Sequence, residues 1–123
     1  MNYSGLQNYK DQSIMTMTQG ELLIILFDEL LKRLTRAEFA LDNEKFDVFD
    51  QSIERSQEIV EYLKASLDFQ YEISGEINRM YDFFIYEISR IKAGRKKEII
   101  AEMKPLVKEL RDAFEEASAK AGI

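Results

Sequence analysis

Apolar residues recur at alternating steps of three and four along most of the chain, the spacing that lines one face of an α-helix. The first stripe, Leu23, Phe27, Leu30, Leu34, Ala37 and Leu41, predicts a helix over residues 19–41. Its start carries a capping box: the Thr18 side chain accepts from the Glu21 amide, Glu21 reaches back to the Thr18 amide, and Met17 staples onto Leu22. Asp42-Asn43 reads as a turn. Phe46, Phe49, Ile53, Val60, Leu63 and Leu67, with Ser56 as the polar member, predict a second helix over about 44–67. Ile77, Tyr81, Phe84, Ile88 and Ile91 predict a third over about 75–92, closed by Gly94 as a left-handed cap. The fourth stripe is Ile99, Met103, Leu106, Leu110, Ala113 and Ala117. Pro105 within it removes a backbone bond and clashes with the Ala101 carbonyl, which predicts a kink.

Four helices joined by short connections return the chain beside its predecessor at each turn. The expected fold is therefore all-α, an antiparallel up-down four-helix bundle over residues 18–123. Residues 1–17 stand apart: they carry only Lys10 and Asp11 as charges, yet hold Tyr3, Leu6, Tyr9, Ile14, Met15 and Met17. They are expected to form a short segment packed on the bundle as a lid.

The apolar residues exceed what one stripe per helix needs. At about 100° per residue, Ile24 and Leu31 flank the first stripe, while Ile25 lies nearly opposite it among Asp28, Glu29 and Lys32. Phe83 and Ile85 fall on the shoulders of the third helix and Tyr86 on its back; Tyr62 lies behind the core of the second. A single exposed apolar residue is ordinary. Several together suggest a surface for a partner helix.

Composition narrows the chemistry. With 123 residues, 46% of them apolar and 33% charged, the chain suits one domain with a core and a charged surface. It has no His and no Cys, so a Ser-His-Asp triad, a thiol nucleophile and an ordinary zinc site are excluded. Asp42, Asp47 and Asp50 are better read as solvated helix-start residues than as cation ligands, and no Glu-x-x-His motif accompanies them. No metal, cofactor or enzymatic activity is expected. Seventeen basic against twenty-three acidic residues, a net charge of -6, disfavours nucleic acid. The single basic cluster, Lys92, Arg95, Lys96 and Lys97, would suit an acidic partner. The longest apolar run, Leu22 to Phe27, is far short of the ~20 residues of a membrane span. The first residues lack the basic and apolar stretches of a secretory signal, so no membrane insertion and a cytoplasmic location are expected.

From Tyr9 to about Ala117 the residues resemble the flagellar secretion chaperone FliS family. Thr16-Met17-Thr18-Gln19-Gly20-Glu21-Leu22 is similar to its Thr-Ala-Ser-Pro-x-x-Leu helix start, and Leu26-Phe27-Asp28 to its Leu-Tyr-Asp. Met80-Tyr81-Asp82-Phe83 resembles the Leu-Tyr-Asp-Tyr of the third helix. Leu110-Arg111-Asp112-Ala113-Phe114 stands where many members end with Ala-Trp. Gln19 replaces the usual proline, Phe114 the usual tryptophan, and Ser74-Gly75-Glu76-Ile77 the Gly-Gly-Glu-Ile turn.

The resemblance implies a cytoplasmic chaperone that holds the C-terminal helical segment of flagellin, prevents premature polymerisation and keeps it fit for type III export. Leu6, Tyr9 and Ile14 would then occupy part of the partner's groove, and the partner-binding positions would include Leu22, Ile25, Leu31 and Tyr62, with Phe83, Tyr86, Val107 and Phe114. Contacts with the export apparatus or a co-chaperone, and a homodimer, are compatible with that role. The alternative is a homo-oligomeric structural or adaptor bundle in which the same residues meet another copy.

Overall fold

The computed structural model describes residues 19–121, except for the side chains of Ser118, Lys120 and Ala121. The expectations placed on Leu6, Tyr9 and Ile14, and on the Thr18 and Met17 cap, fall outside the described residues. Four helices follow one another: α1 (Gln19–Asp42), α2 (Phe46–Ala65), α3 (Ser74–Gly94) and α4 (Lys97–Ala121). They form the expected all-α bundle. α1 packs most extensively on α2 and α4, α2 packs on α3, and the α3–α4 pair is the thinnest of the four seams.

The connections are fixed by local chemistry. After α1, Asn43 Nδ2 donates to the Phe39 carbonyl at 2.8 Å and the Lys45 amide to the Ala40 carbonyl at 2.8 Å. Glu44 takes the left-handed conformation (φ 54°) that reverses the chain, so α2 starts at Phe46 rather than 44. After α3 the left-handed residue is Arg95 (φ 50°), while Gly94 remains helical, which corrects the assignment of the cap to Gly94. That conformation is unfavourable for a residue with a Cβ. The Arg95 guanidinium lies 3.8 Å from the centre of the Phe46 ring, a cation–π contact that favours the turn. Phe46 is thereby drawn to the surface instead of joining the core stripe.

The core is built from Phe27, Leu30 and Leu34 of α1, Phe49, Ile53 and Ile59 of α2, Tyr81, Phe84 and Ile88 of α3, and Ile100, Met103 and Val107 of α4. Ser56, buried with Ser52, satisfies its hydroxyl by donating to the Ser52 carbonyl at 2.8 Å.

α4 is rotated relative to the predicted stripe. Val107 is fully buried, whereas Leu106 is 36% exposed and Ala113 and Ala117 are exposed. The reason is visible along the α1–α4 seam. Lys97, Lys104 and Arg111, seven residues apart, pair with Asp42 (2.6 Å), Glu38 (2.7 Å) and Asp28 (2.8 Å). Ascending numbers on α4 meet descending numbers on α1, so the two helices run antiparallel. With that cationic row turned to α1, the Ile100–Met103–Val107 row points inward and Leu106 turns away. Pro105 lies on the exposed side of α4, which continues through it as one helix.

Truncating Leu30 or Phe84 to alanine leaves a cavity at a fully buried site and should cost about 2–5 kcal/mol in urea titrations. Leu106→Ala should cost less than about 1 kcal/mol. The reverse order between Leu106 and the two core positions would contradict the rotation of α4.

Candidate partner-binding surface

Two apolar openings lie at the end of the bundle formed by the start of α1, the end of α2, the start of α3 and the end of α4. The first is a groove of about 500 Å³ between α1 and α2, floored by Leu22, Leu26, Ile59 and Tyr62. Arg55 and Glu58, ion-paired to each other at 3.1 Å, flank it. Leu22 and Leu26 share a helix face because they are four residues apart, and so, at three, do Ile59 and Tyr62.

The second opening is a cleft of about 430 Å³ at the bundle end, lined by Leu23 of α1, Leu63 and Leu67 near the end of α2, Ile77 and Tyr81 of α3, and Phe114 of α4. The α2–α3 connection forms its rim with Tyr71 and Ile73. That connection is built by its own polar groups: Asp68 Oδ1 accepts from the Gln70 amide at 3.1 Å, and Ser74 Oγ donates to the Asp68 carbonyl. Phe69, Tyr71 and Ile73 are left largely exposed. Leu22 and Leu23 are neighbours, as are Tyr62 and Leu63, so the groove and the cleft adjoin across α1 and α2.

The sequence-derived positions divide accordingly. Leu22 and Tyr62 come together in the groove, and Phe114 reaches the cleft with its ring 5.4 Å from that of Phe27. Ile25, 45% exposed, follows Leu22 by three residues on α1. Leu31 is partly buried against the core, and helical phase sets it among Asp28 and Glu38 on the flank of α1 that faces α4. Phe83 and Tyr86 are exposed on α3 but line neither opening. Val107 is withdrawn from any surface role: it is a core residue, for the reason of α4 rotation given above.

Sequence reasoning passed over Leu26, Ile59, Phe69, Tyr71 and Ile73. For the last three the signal was present, two aromatics and an isoleucine alternating with polar residues in a connection where a helical stripe has ended. Phe39 is also exposed at the opposite end of the bundle, where Lys45 lies over its ring.

Ion pairs hold the frame around the openings. Lys64 of α2 pairs with Asp82 of α3. Arg111, donating first to Asp28 and then to Asp112, is held protonated well above the usual guanidinium range. Among the described residues no group of three or more acidic, His or Cys side chains is placed to hold a metal ion, and no helix is long and apolar enough to cross a membrane.

The family model for the flagellar protein FliS matches residues 2–121 of this chain. The flagellar secretion chaperone FliS of Bacillus subtilis (strain 168) is 27% identical over 109 residues, covering 89% of this chain and 82% of that protein. A crystal structure of a bacterial flagellar chaperone superposes with a TM-score of 0.78 at 21% identity, over 98% of this chain and 99% of the other. At that identity the likeness establishes a common fold.

Ile25→Asp and Tyr86→Asp both replace exposed side chains and should change stability by less than about 1 kcal/mol, including the lower helix propensity of aspartate. Circular dichroism melts check this. A large fall in melting temperature for either variant would show its side chain to be part of the packing.

Proposed function

This chain belongs to the FliS family of flagellar proteins, and on that footing we propose that it is a cytoplasmic, non-enzymatic export chaperone for flagellin. It binds the C-terminal helical segment of flagellin, prevents its premature polymerisation and keeps it competent for type III secretion. The observation that supports this reading is the adjoining pair of apolar openings on α1 and α2. A helix in a groove is recognised through apolar side chains spaced three and four residues apart. Leu22 and Leu26 on one wall, and Ile59 and Tyr62 on the other, have that spacing.

A flagellin terminal segment that exposes an apolar face has no water-compatible alternative to assembly unless another surface covers it. Here the Arg55–Glu58 pair on the groove's edge leaves charge at the rim and apolar side chains at the centre, the usual anatomy of a protein interface. Leu6, Tyr9 and Ile14 compete for part of the same surface as an intramolecular lid. Phe83 and Tyr86, exposed on α3, line neither opening.

Calorimetric titration with a peptide of the flagellin C-terminal helical segment tests the reading. Saturable binding is expected, weakened roughly tenfold or more by Tyr62→Asp in the groove. No binding by the full chain, with light scattering showing stable self-association instead, would favour a homo-oligomeric bundle. Removing residues 1–15 should leave the helical melt intact and tighten binding of a peptide that displaces the lid, because an intramolecular competitor is gone. Weaker binding with intact helicity would make Leu6, Tyr9 and Ile14 direct contacts.

A further inference from the structure

Tyr81 differs from every other aromatic of the core. Its side chain is only 1% exposed and its ring lies 6.4 Å from that of Phe27, so it is a packing residue by volume. Yet its hydroxyl makes no hydrogen bond with any of the described residues, whereas a buried tyrosine hydroxyl ordinarily finds a partner. Two serine hydroxyls on the cleft wall are committed: Ser66 Oγ donates to the Leu63 carbonyl and Ser74 Oγ to the Asp68 carbonyl. Among the described residues, Asn78 Oδ1 alone is a side-chain oxygen or nitrogen both sealed from solvent and unpartnered. The Tyr81 hydroxyl is therefore unpartnered without being sealed, and the opening that Tyr81 lines is the end cleft.

Burial holds the phenol well above its ordinary ionisation range, so it stays a neutral O–H donor at any physiological pH. The rest of the cleft wall is mainly aliphatic and aromatic, and its carboxylate, Asp68, disfavours an anionic guest. A neutral carbonyl is the acceptor that fits. Within a helix such carbonyls are already taken by the backbone, so the acceptor belongs to a last helical turn or the bend after it.

We propose that Tyr81 is a partner-binding residue: an apolar side chain of the flagellin C-terminal segment fills the end cleft, and a carbonyl freed at a helix end beside it accepts a hydrogen bond from the Tyr81 hydroxyl. The inference rests on the flagellin-binding reading given above. It adds a polar anchor inside an otherwise apolar surface, and so a preference for segments that end or bend a helix at that point. It also accounts for a hydroxyl kept where the fold itself has no use for it, since an unpaired buried polar group costs stability.

Tyr81→Phe tests it, because the ring and its packing against Phe27 are kept and only the oxygen is lost. For the full-length chain and the flagellin C-terminal peptide, the dissociation constant should rise roughly three- to tenfold. The melting temperature of the free protein should stay level or rise. Ala117→Phe, which fills the cleft from α4, should weaken binding both in the wild-type background and in combination with Tyr81→Phe. Unchanged affinity in Tyr81→Phe overturns the inference and leaves the flagellin reading standing. A lower melting temperature overturns it too, by showing that the hydroxyl serves the fold. Wild-type affinity in Ala117→Phe places the segment elsewhere and has the same force. No binding by the wild-type chain overturns the reading and the inference together.

Discussion

The rotation of α4 about its own axis decides what the bundle buries and what it leaves open. Three ion pairs at heptad spacing, Lys97 with Asp42, Lys104 with Glu38 and Arg111 with Asp28, lie along one flank, and the Ile100, Met103 and Val107 row lies beside them. These pairs, one exposed and two part-buried, contribute little net stability, since Coulomb attraction near water is offset by side-chain ordering and salt screening. Their effect is on register: sliding or turning α4 would set cations against apolar residues of α1. The apolar row supplies the free energy, and the ionic row selects the orientation in which it is gained.

That orientation has a consequence at the bundle end. α1 is gripped on both flanks, by α2 and by α4, while the α3–α4 seam is thin. Phe114 therefore leans on Phe27 of α1 rather than closing against α3, and the space between the start of α3 and the end of α4 stays open as the cleft. A well-packed core beneath and an unfilled end above is a division of labour that suits a protein whose partner supplies the missing side chains. The cleft and the α1–α2 groove adjoin across α1 and α2, so one elongated segment can use both.

Much of the fold was legible in the sequence because three of the stripes admit one reading. Phe27, Leu30 and Leu34, or Tyr81, Phe84 and Ile88, have no competing row on their helices. α4 does: the row through Leu106, Ala113 and Ala117 and the row through Ile100 and Val107 share Met103 and Leu110, and periodicity alone cannot separate them. The heptad of Lys97, Lys104 and Arg111 opposite acidic residues of α1 holds the deciding information, but only once α1 and α4 are known to be neighbours. The Gly94 expectation failed for a similar reason. Glycine is the cheapest residue in the left-handed region, and only the tertiary stacking of Arg95 on Phe46 moves that conformation one residue onward. The surface was legible where helical phase opposes the core, as at Ile25 and Tyr62. In the α2–α3 connection Phe69, Tyr71 and Ile73 have no helical phase to read, and their one signal is the alternation with polar residues after a stripe has ended.

The central claim is that the α1–α2 groove and the adjoining cleft form one partner surface. Amide hydrogen exchange on the full chain, with and without the flagellin C-terminal segment, tests it most directly because every backbone position reports separately. The account predicts slowed exchange over the first turns of α1, the last turns of α2 and residues 66–77, with the opposite end around Phe39 and Phe46 unchanged. Protection confined to that opposite end or to the outer face of α3 at Phe83 and Tyr86 would contradict it.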